Sequence, residues 1–251
     1  MSTAAAAIPS AARGGHPLRW RILWVVLAVE VMDLLDGTHV NVALPSIRTS
    51  LDASSTALQW VAGGYALTFA IGLVTGARLG DIVGRRRMFL IGVAGFTLSS
   101  ALCALAWAPG ALIGFRLLQG LCAAAMIPQG FGIVRDAFPD DEIGKAFGMF
   151  GPVIGGSAVL GPVIGGALVD ANLFGTGWRL IFLVNVPLGL VALAAGSRLL
   201  PESRPQVRPT IDGLGAAVIS VAIGFLVYPL IQGRELGWPA WTFGMLAAGG
   251  I

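Results

Sequence analysis

The sequence predicts an all-α polytopic membrane protein, and three observations carry that expectation. Of 251 residues, 56% are apolar and only 12% are charged, about half the roughly 25% charge of an ordinary soluble domain. Apolar runs of about twenty residues, the length that crosses a ~30 Å hydrocarbon core as a helix, recur with short polar breaks between them. The cations are concentrated in alternate breaks, as the positive-inside rule requires of a chain that weaves through a bilayer.

Taken in order, residues 1–21 read as a basic tail, small and polar, with no apolar stretch long enough for a signal peptide. Spans follow near 22–42, 59–79, 88–107, 111–134, 146–169, 178–198 and 211–232, and an eighth run starts at Trp241. The expected organisation is a six-helix bundle over 22–198, a short linker at 199–210, a seventh helix at 211–232 and a truncated eighth at 241–251. The last run is too short to cross a bilayer, so the sequence reads as the N-terminal part of a longer protein.

Twelve cations fall in the tail and the even breaks (Arg13, Arg19, Arg21; Arg78, Arg85, Arg86, Arg87; Arg135, Lys145; Arg198, Arg204, Arg208), against three in the odd ones (Arg48, Arg179, Arg234). The tail is therefore expected in the cytoplasm. The net charge of +3 is not gathered into the aromatic-interleaved basic patches of a nucleic-acid surface, and no nucleic-acid partner is expected. Cys103 and Cys122 lie in apolar runs without partner spacing, which excludes a disulfide framework or a zinc site and reads as buried thiols.

An ionisable group at mid-depth in a membrane costs roughly 2.5 to 3.5 kcal/mol, so each one needs a partner, water or a task. Glu30, Asp33, Asp36 and His39 follow at a spacing of three, and at about 100° per residue the acids share an arc of about 120°. That face must look into protein or a wet cavity. Arg116 is the other charge at depth, and it and Asp36 lie roughly 5 to 8 Å to the same side of their span midpoints at 1.5 Å per residue. They are expected to meet. A guanidinium favours the charged acid, whereas burial and neighbouring acids favour the neutral one, and such opposed pushes let a site bind and release a proton near neutrality. A static pair that joins two helices is the simpler alternative.

Several motifs resemble a known family. Leu35 to Pro45 (LDGTHVNVALP) matches the first-helix signature LDxTxVNxALP of drug:proton antiporters in the major facilitator superfamily, in the fourteen-helix multidrug-resistance branch. Leu79 to Arg87 (LGDIVGRRR) resembles the superfamily's GxLaDrxGrk loop, and Leu112 to Ala124, with Arg116, Gln119 and Gly120, resembles its fourth-helix lxxxRxxqGxgaa pattern. Gly161 to Gly166 (GPVIGG) resembles the antiporter GPxxGG element, and Trp178 to Gly189 resembles WRxIFxxNxPxG at the start of helix six. The departures are Ala77 for the leading loop Gly, Ile82 for a basic residue, Cys122 for a Gly, and Ser157 with Gly156 displaced by one. His39 falls at a variable position of the first motif, so the resemblance gives it no role.

Residue chemistry accompanies these motifs. Gly80 and Gly84 are expected to permit the turn between helices two and three, and Arg85, Arg86 and Arg87 to anchor the cytoplasmic face. The resemblance implies that Gly80, Asp81, Gly84, Arg85 and Arg86 form a conformational latch against the other half of the transporter; plain topology anchoring is the alternative. GPVIGG occurs twice, at 151–156 and 161–166, and each copy has a GxxxG spacing that lets a helix approach closely. The resemblance makes Gly161, Pro162, Gly165 and Gly166 the helix-five antiporter motif. The short Pro-rich linker, with Asp212 leading at once into the next span, resembles the fourteen-helix branch rather than a twelve-helix one.

The implied function is proton-coupled export of lipophilic or cationic drugs by alternating access, with Asp36 as leading coupling residue, Asp33 and Glu30 next and Arg116 as tuner. No catalytic residue, metal or cofactor is expected, the proton gradient being the energy source. The partners are a small molecule, protons, the bilayer and the C-terminal bundle of the same chain, and the location is a bacterial plasma membrane. No substrate-binding residue is named by the sequence. Export of another solute, such as a metabolite or siderophore, is the alternative. An intramembrane aspartyl enzyme fits poorly, since it needs acids on two facing helices and here they share one.

Overall fold

The computed structural model describes residues 15–202, 213–233 and 236–250. Residues 1–14 of the expected tail, most of the expected linker, Asp212 and Arg234 lie outside the described residues. Those described form ten α-helices and two 3₁₀ turns, and five helical segments among them are long and apolar enough to cross a membrane: Ser55–Val83, Arg85–Ala104, Pro109–Ala137, Ile143–Ala171 and Gly177–Leu199.

Helix α1 (Arg19–Leu51) is 33 residues long and carries the acids in its middle. It runs through Pro45 and stops at Asp52, whose left-handed backbone (φ 50°) turns its N–H back to the Arg48 carbonyl. Helix α2 (Ser55–Val83) starts on Ser54, whose Oγ accepts from the Ala57 N–H at 3.2 Å, satisfying one of the orphan donors of a helix start. Gly84 ends α2 and opens α3 (Arg85–Ala104) at φ 112°, a backbone that side chains rarely adopt. Helix α4 (Pro109–Ala137) begins on Pro109, where the missing N–H costs nothing.

The fifth and sixth spans, expected as continuous helices, are interrupted. Helix α5 (Ile143–Gly148) stops one residue before α6 (Phe150–Ala171). Pro152 has no N–H, so the Gly148 carbonyl four residues earlier loses its helical partner. After 3₁₀ turns at Leu173–Gly175 and Gly177–Arg179, α7 (Leu180–Leu183) breaks at Val184 before α8 (Asn185–Leu199). Pro187 likewise lacks the N–H that would meet the Leu183 carbonyl four residues earlier. Helices α9 (Gly213–Gln232) and α10 (Ala240–Gly249) complete the described chain.

Helix α4 packs on α2 and α3, and α1 packs on α6 and α8. A Cβ on Gly76 or Gly120 would overlap the facing backbone, so α2 and α4 touch main chain to main chain, and Thr68 Oγ1 donates to the Leu117 carbonyl at 2.8 Å. Helix α9 lies on α2, where Trp60 Nε1 donates to Gln232 Oε1 at 3.0 Å and Ser220 Oγ to the Ile71 carbonyl at 3.1 Å. Leu98, Val159 and Val191 are exposed, an outward apolar surface suited to lipid.

The interior has two apolar clusters. One gathers Ile22, Val26, Phe89, Phe96, Met126 and Ile133. The other gathers Val40, Ile47, Val61, Leu112, Trp178 and Phe182. Between the α1 residues of these clusters stands Asp36, and around it a layer of buried polar side chains.

Candidate functional site

Asp36 and Arg116 form an ion pair in which each side chain is 1% exposed, so the contact expected from their depths is made. Arg116 Nη1 donates to Asp36 Oδ2. Asp36 Oδ1 accepts from Gln119 Nε2 at 3.0 Å and from Asn185 Nδ2 at 2.7 Å. The carboxylate, an acceptor with about four lone-pair sites, is thus met by three donors from α4 and α8.

The donors are themselves held. Arg116 Nη1 also donates to Gln119 Oε1 at 2.7 Å, and Nε to the Val61 carbonyl at 3.2 Å. Gln119 Nε2 also donates to Ser100 Oγ at 2.7 Å, the amide orientation being set by the Arg116 donor on Oε1 and the Asp36 acceptor on Nε2, and the Cys103 thiol lies 3.7 Å from Gln119 Oε1. The Arg116 guanidinium stacks over the Tyr65 ring at 4.3 Å and near Phe182 at 5.8 Å, contacts that gain strength where the cation is desolvated. A buried pair survives on such completeness, because the desolvation of both charges must be offset.

The other acids are arranged differently. Asp33, half-buried, accepts through Oδ1 from the Tyr65 hydroxyl, so the ring under Arg116 also ties the second acid to the first pair. Glu30 is buried, and its Oε1 has no hydrogen-bond partner among the described residues. Tyr65 stacks on Phe69 at 6.3 Å, and Phe69 lines a cavity of about 480 Å³ between α2 and α4, with Leu73, Ile127, Pro128, Phe131 and Arg78 in its wall.

The loop residues lie at the far end of α2. Arg85 pairs with Asp81 at 3.1 Å and with Asp136 of α4 at 2.8 Å, and donates to the Gly132 carbonyl at 3.3 Å. Arg86 donates to the Ser197 carbonyl near the end of α8. Both cations therefore act inside this bundle as well as at its surface. Gly80, expected from the sequence to serve the turn, is instead buried within α2, where a Cβ would overlap Gln129. Gly84 alone makes the corner.

The two GPVIGG copies differ. A Cβ on Gly161 would overlap Thr38 Oγ1, and one on Gly165 would stand 3.0 Å from the His39 Cα; the second copy is a groove for α1. Gly151, Gly155 and Gly156 have nothing within 4 Å of such a Cβ among the described residues. Cys103 is buried but Cys122 only partly, and both are free thiols.

Sequence reasoning missed Asn185, Ser100 and Tyr65 as parts of the charged centre. Asn185 had a signal, being an amide inside an apolar run and a fixed letter of the WRxIFxxNxPxG pattern; Ser100 and Tyr65 had none beyond their polarity.

An all-helical bundle with apolar outer faces and one closed ion pair at its centre is a polytopic membrane protein. Residues 26–251 match the Major Facilitator Superfamily, and the chain belongs to that family. It is 51% identical over 231 residues to a probable actinorhodin transporter of Streptomyces coelicolor, covering 92% of this chain and 40% of that protein. It is 39% identical over 242 residues to a tetracenomycin C resistance and export protein of Streptomyces glaucescens, covering 96% of this chain and 44% of that protein. The chain thus spans less than half the length of these curated relatives. In fold it is similar to the crystal structure of a bacterial homologue of the human lysosomal transporter Spinster, inward-facing and occupied, with a TM-score of 0.66 and 21% identity over 89% of this chain and 54% of that one.

Proposed function

We propose that the chain is the N-terminal part of a drug:proton antiporter of the fourteen-helix branch, which exports a lipophilic or cationic small molecule by alternating access. The observation that carries this reading is the Asp36 carboxylate, buried and met by Arg116, Gln119 and Asn185 at once. A protonated acid bears a donor of its own, and three donors already face Asp36. Its charged and neutral states therefore need different placements of α4 and α8, which ties proton uptake to movement of helices. Names of two relatives, one a probable transporter and one a resistance and export protein, support the export direction.

In this reading Asp36 exchanges the proton, and Arg116 returns to it when the proton leaves. Asp33, joined to the centre through Tyr65, and Glu30, buried farther along α1, are the next acids on the proton's path. The aromatic-lined cavity beside Tyr65 suits a lipophilic guest. Asp81, Arg85 and Arg86 with Gly80 and Gly84 are the latch loop, and Gly161, Pro162, Gly165 and Gly166 keep the α1–α6 seam closed to water in the packed state, before the two helices separate. The proton gradient is the energy source and no cofactor takes part. The second bundle comes from the rest of a longer chain, residues 22–198 being the first. The charge bias puts the N-terminus in the cytoplasm, in the plasma membrane of a bacterium.

The test is efflux of a lipophilic cation by the full-length protein in cells lacking their own pumps, with and without a pH gradient. Gradient-dependent efflux that Asp36→Asn abolishes is expected. Efflux that ignores the gradient overturns the reading.

A further inference from the structure

His39 is a deeply buried titratable residue that this exchange scheme leaves unused. Its side chain is 1% exposed, and neither Nδ1 nor Nε2 has a hydrogen-bond partner among the described residues. A neutral imidazole offers one donor and one acceptor, and leaving both unpaired in the interior costs their hydration. Such a residue needs a reason to be polar.

Its surroundings supply one. His39 lies on the seam between α1 and α6, in a notch made by Gly165, where an added Cβ would stand 3.1 Å from the ring carbon Cδ2. The neighbouring contact, Thr38 on Gly161, is equally bare of side-chain atoms on the α6 side. At these two positions α6 offers close packing and no side chain that could hydrogen-bond α1. Asp36 stands three positions earlier on the same helix, and on a helix such neighbours are about 5 to 6 Å apart between Cβ atoms.

The titratable and charged groups that face this region are few. Helix α1 brings Asp36 itself. Helix α4 brings Arg116, engaged with Asp36, and α2 brings Tyr65, engaged with Asp33. Helix α6 has none from Phe150 to Val169, Asp170 lying at its exposed end. Asn185 of α8 does not titrate, and Arg179, just before α7, donates to the Ala106 carbonyl at 3.0 Å.

We propose that His39 is a proton-carrying residue of the exchange cycle, protonated at a ring nitrogen when α1 and α6 separate and handing that proton to the Asp36 carboxylate one turn away. The inference rests on the proton-exchange reading above. When the seam parts, water reaches the ring; a hydronium ion gives its proton to the free ring nitrogen, making an N–H bond and an imidazolium. The imidazolium then loses that proton, directly or through one water, to an Asp36 oxygen as Arg116 swings off, and the neutral ring returns to its glycine notch. Imidazole suits the task because its ordinary pKa, about 6.5, lies where outside and inside pH differ most usefully.

The experiment measures pH-gradient-driven efflux of a lipophilic cation by the full-length protein across outer pH 5.5 to 8.5. His39→Gln and His39→Asn, which keep polarity near Nε2 and Nδ1 respectively, are compared with wild type and Asp36→Asn. Expected are equal membrane levels, an unchanged KM for the cation, a maximal rate lower by about tenfold or more, and loss of the pH limb in the imidazole range. Gly165→Ala, which crowds the notch but leaves every proton-binding group in place, is a further variant expected to displace that limb along the pH axis. Gradient-driven efflux with the wild-type pH profile in both His39 variants overturns the role of His39 alone. Wild-type efflux that is indifferent to the gradient overturns the exchange reading itself.

Discussion

Arg116 of α4 and Asp36 of α1 stand eighty positions apart in the chain and close into one ion pair at the level where the two apolar clusters of the bundle meet. Removing one partner strands the other in a dry layer, a loss of about 3 to 5 kcal/mol for buried pairs. Arg116→Ala is therefore expected to lower the thermal midpoint of the purified full-length protein sharply. Asp36→Asn keeps an oxygen for Gln119 and Asn185 but leaves Arg116 without its counter-charge, so it is expected to lower the midpoint as well, while still inserting, and to lose coupled exchange. Equal stability of Arg116→Ala and wild type would show that the pair is not the joint described above.

Asn185 contributes the shortest amide contact to Asp36, at 2.7 Å. Asn185→Leu removes that donor without opening a cavity, and the expected loss is about 1 to 2 kcal/mol. Chemical denaturation of the detergent-solubilised protein measures it, and a double-mutant cycle with Asp36→Asn should show coupling between the two positions.

The paired GPVIGG segments give opposite expectations for one substitution. Gly161→Ala drives a methyl group into Thr38, an overpacking that costs about 1 to 3 kcal/mol. Gly151→Ala meets nothing within 4 Å among the described residues and is expected to leave the stability of this bundle unchanged. Thermal shifts of the two variants, measured side by side, decide the matter.

Gly84 carries the corner between α2 and α3 at φ 112°. Gly84→Ala forces a side chain into that region at about 1 to 3 kcal/mol. Gly80→Ala is also expected to be harmful, for a different reason: it meets Gln129 rather than a backbone limit. Gln129→Ala should therefore relieve Gly80→Ala and do nothing for Gly84→Ala.

At the N-terminal end of α1, Arg19 grips Glu142 through Nε at 2.6 Å and Nη2 at 3.0 Å. The hydrogen bond from Arg19, with its charge and that of Lys145 added, holds the Glu142 carboxyl below its ordinary range. A carboxylate lowered in the folded protein contributes stability above its unfolded pKa, about 4.3, and loses it as pH falls through the folded value. Spin labels at positions 16 and 141 should therefore stay close at neutral pH and separate below about pH 4. Glu142→Gln should remove that dependence.

Much of this was legible in the sequence. Twenty-residue apolar runs announce membrane helices because a bilayer has one thickness, and Asp36 and Arg116 announced themselves because charge at depth demands a partner. The rest was hidden for stated reasons. Pro152 and Pro187 were visible, but whether a proline bends a helix or interrupts it depends on what the freed carbonyl finds, and that is settled by packing. Gly80 was read as a turn residue because glycine serves turns and close packing alike. Ser100 and Tyr65 carry no charge, so nothing in a single sequence marks them as neighbours of the ion pair.

One last consequence follows from the doubled hexapeptide in α6. The copies are offset by ten residues, which at about 100° each turns the second notch about 80° from the first. The helix is thus keyed in two directions, with α1 filling the inner keyway through Thr38 and His39. A neighbour lodged in the other keyway would act on α6 like a wrench on a shaft, and torque applied there would arrive at His39.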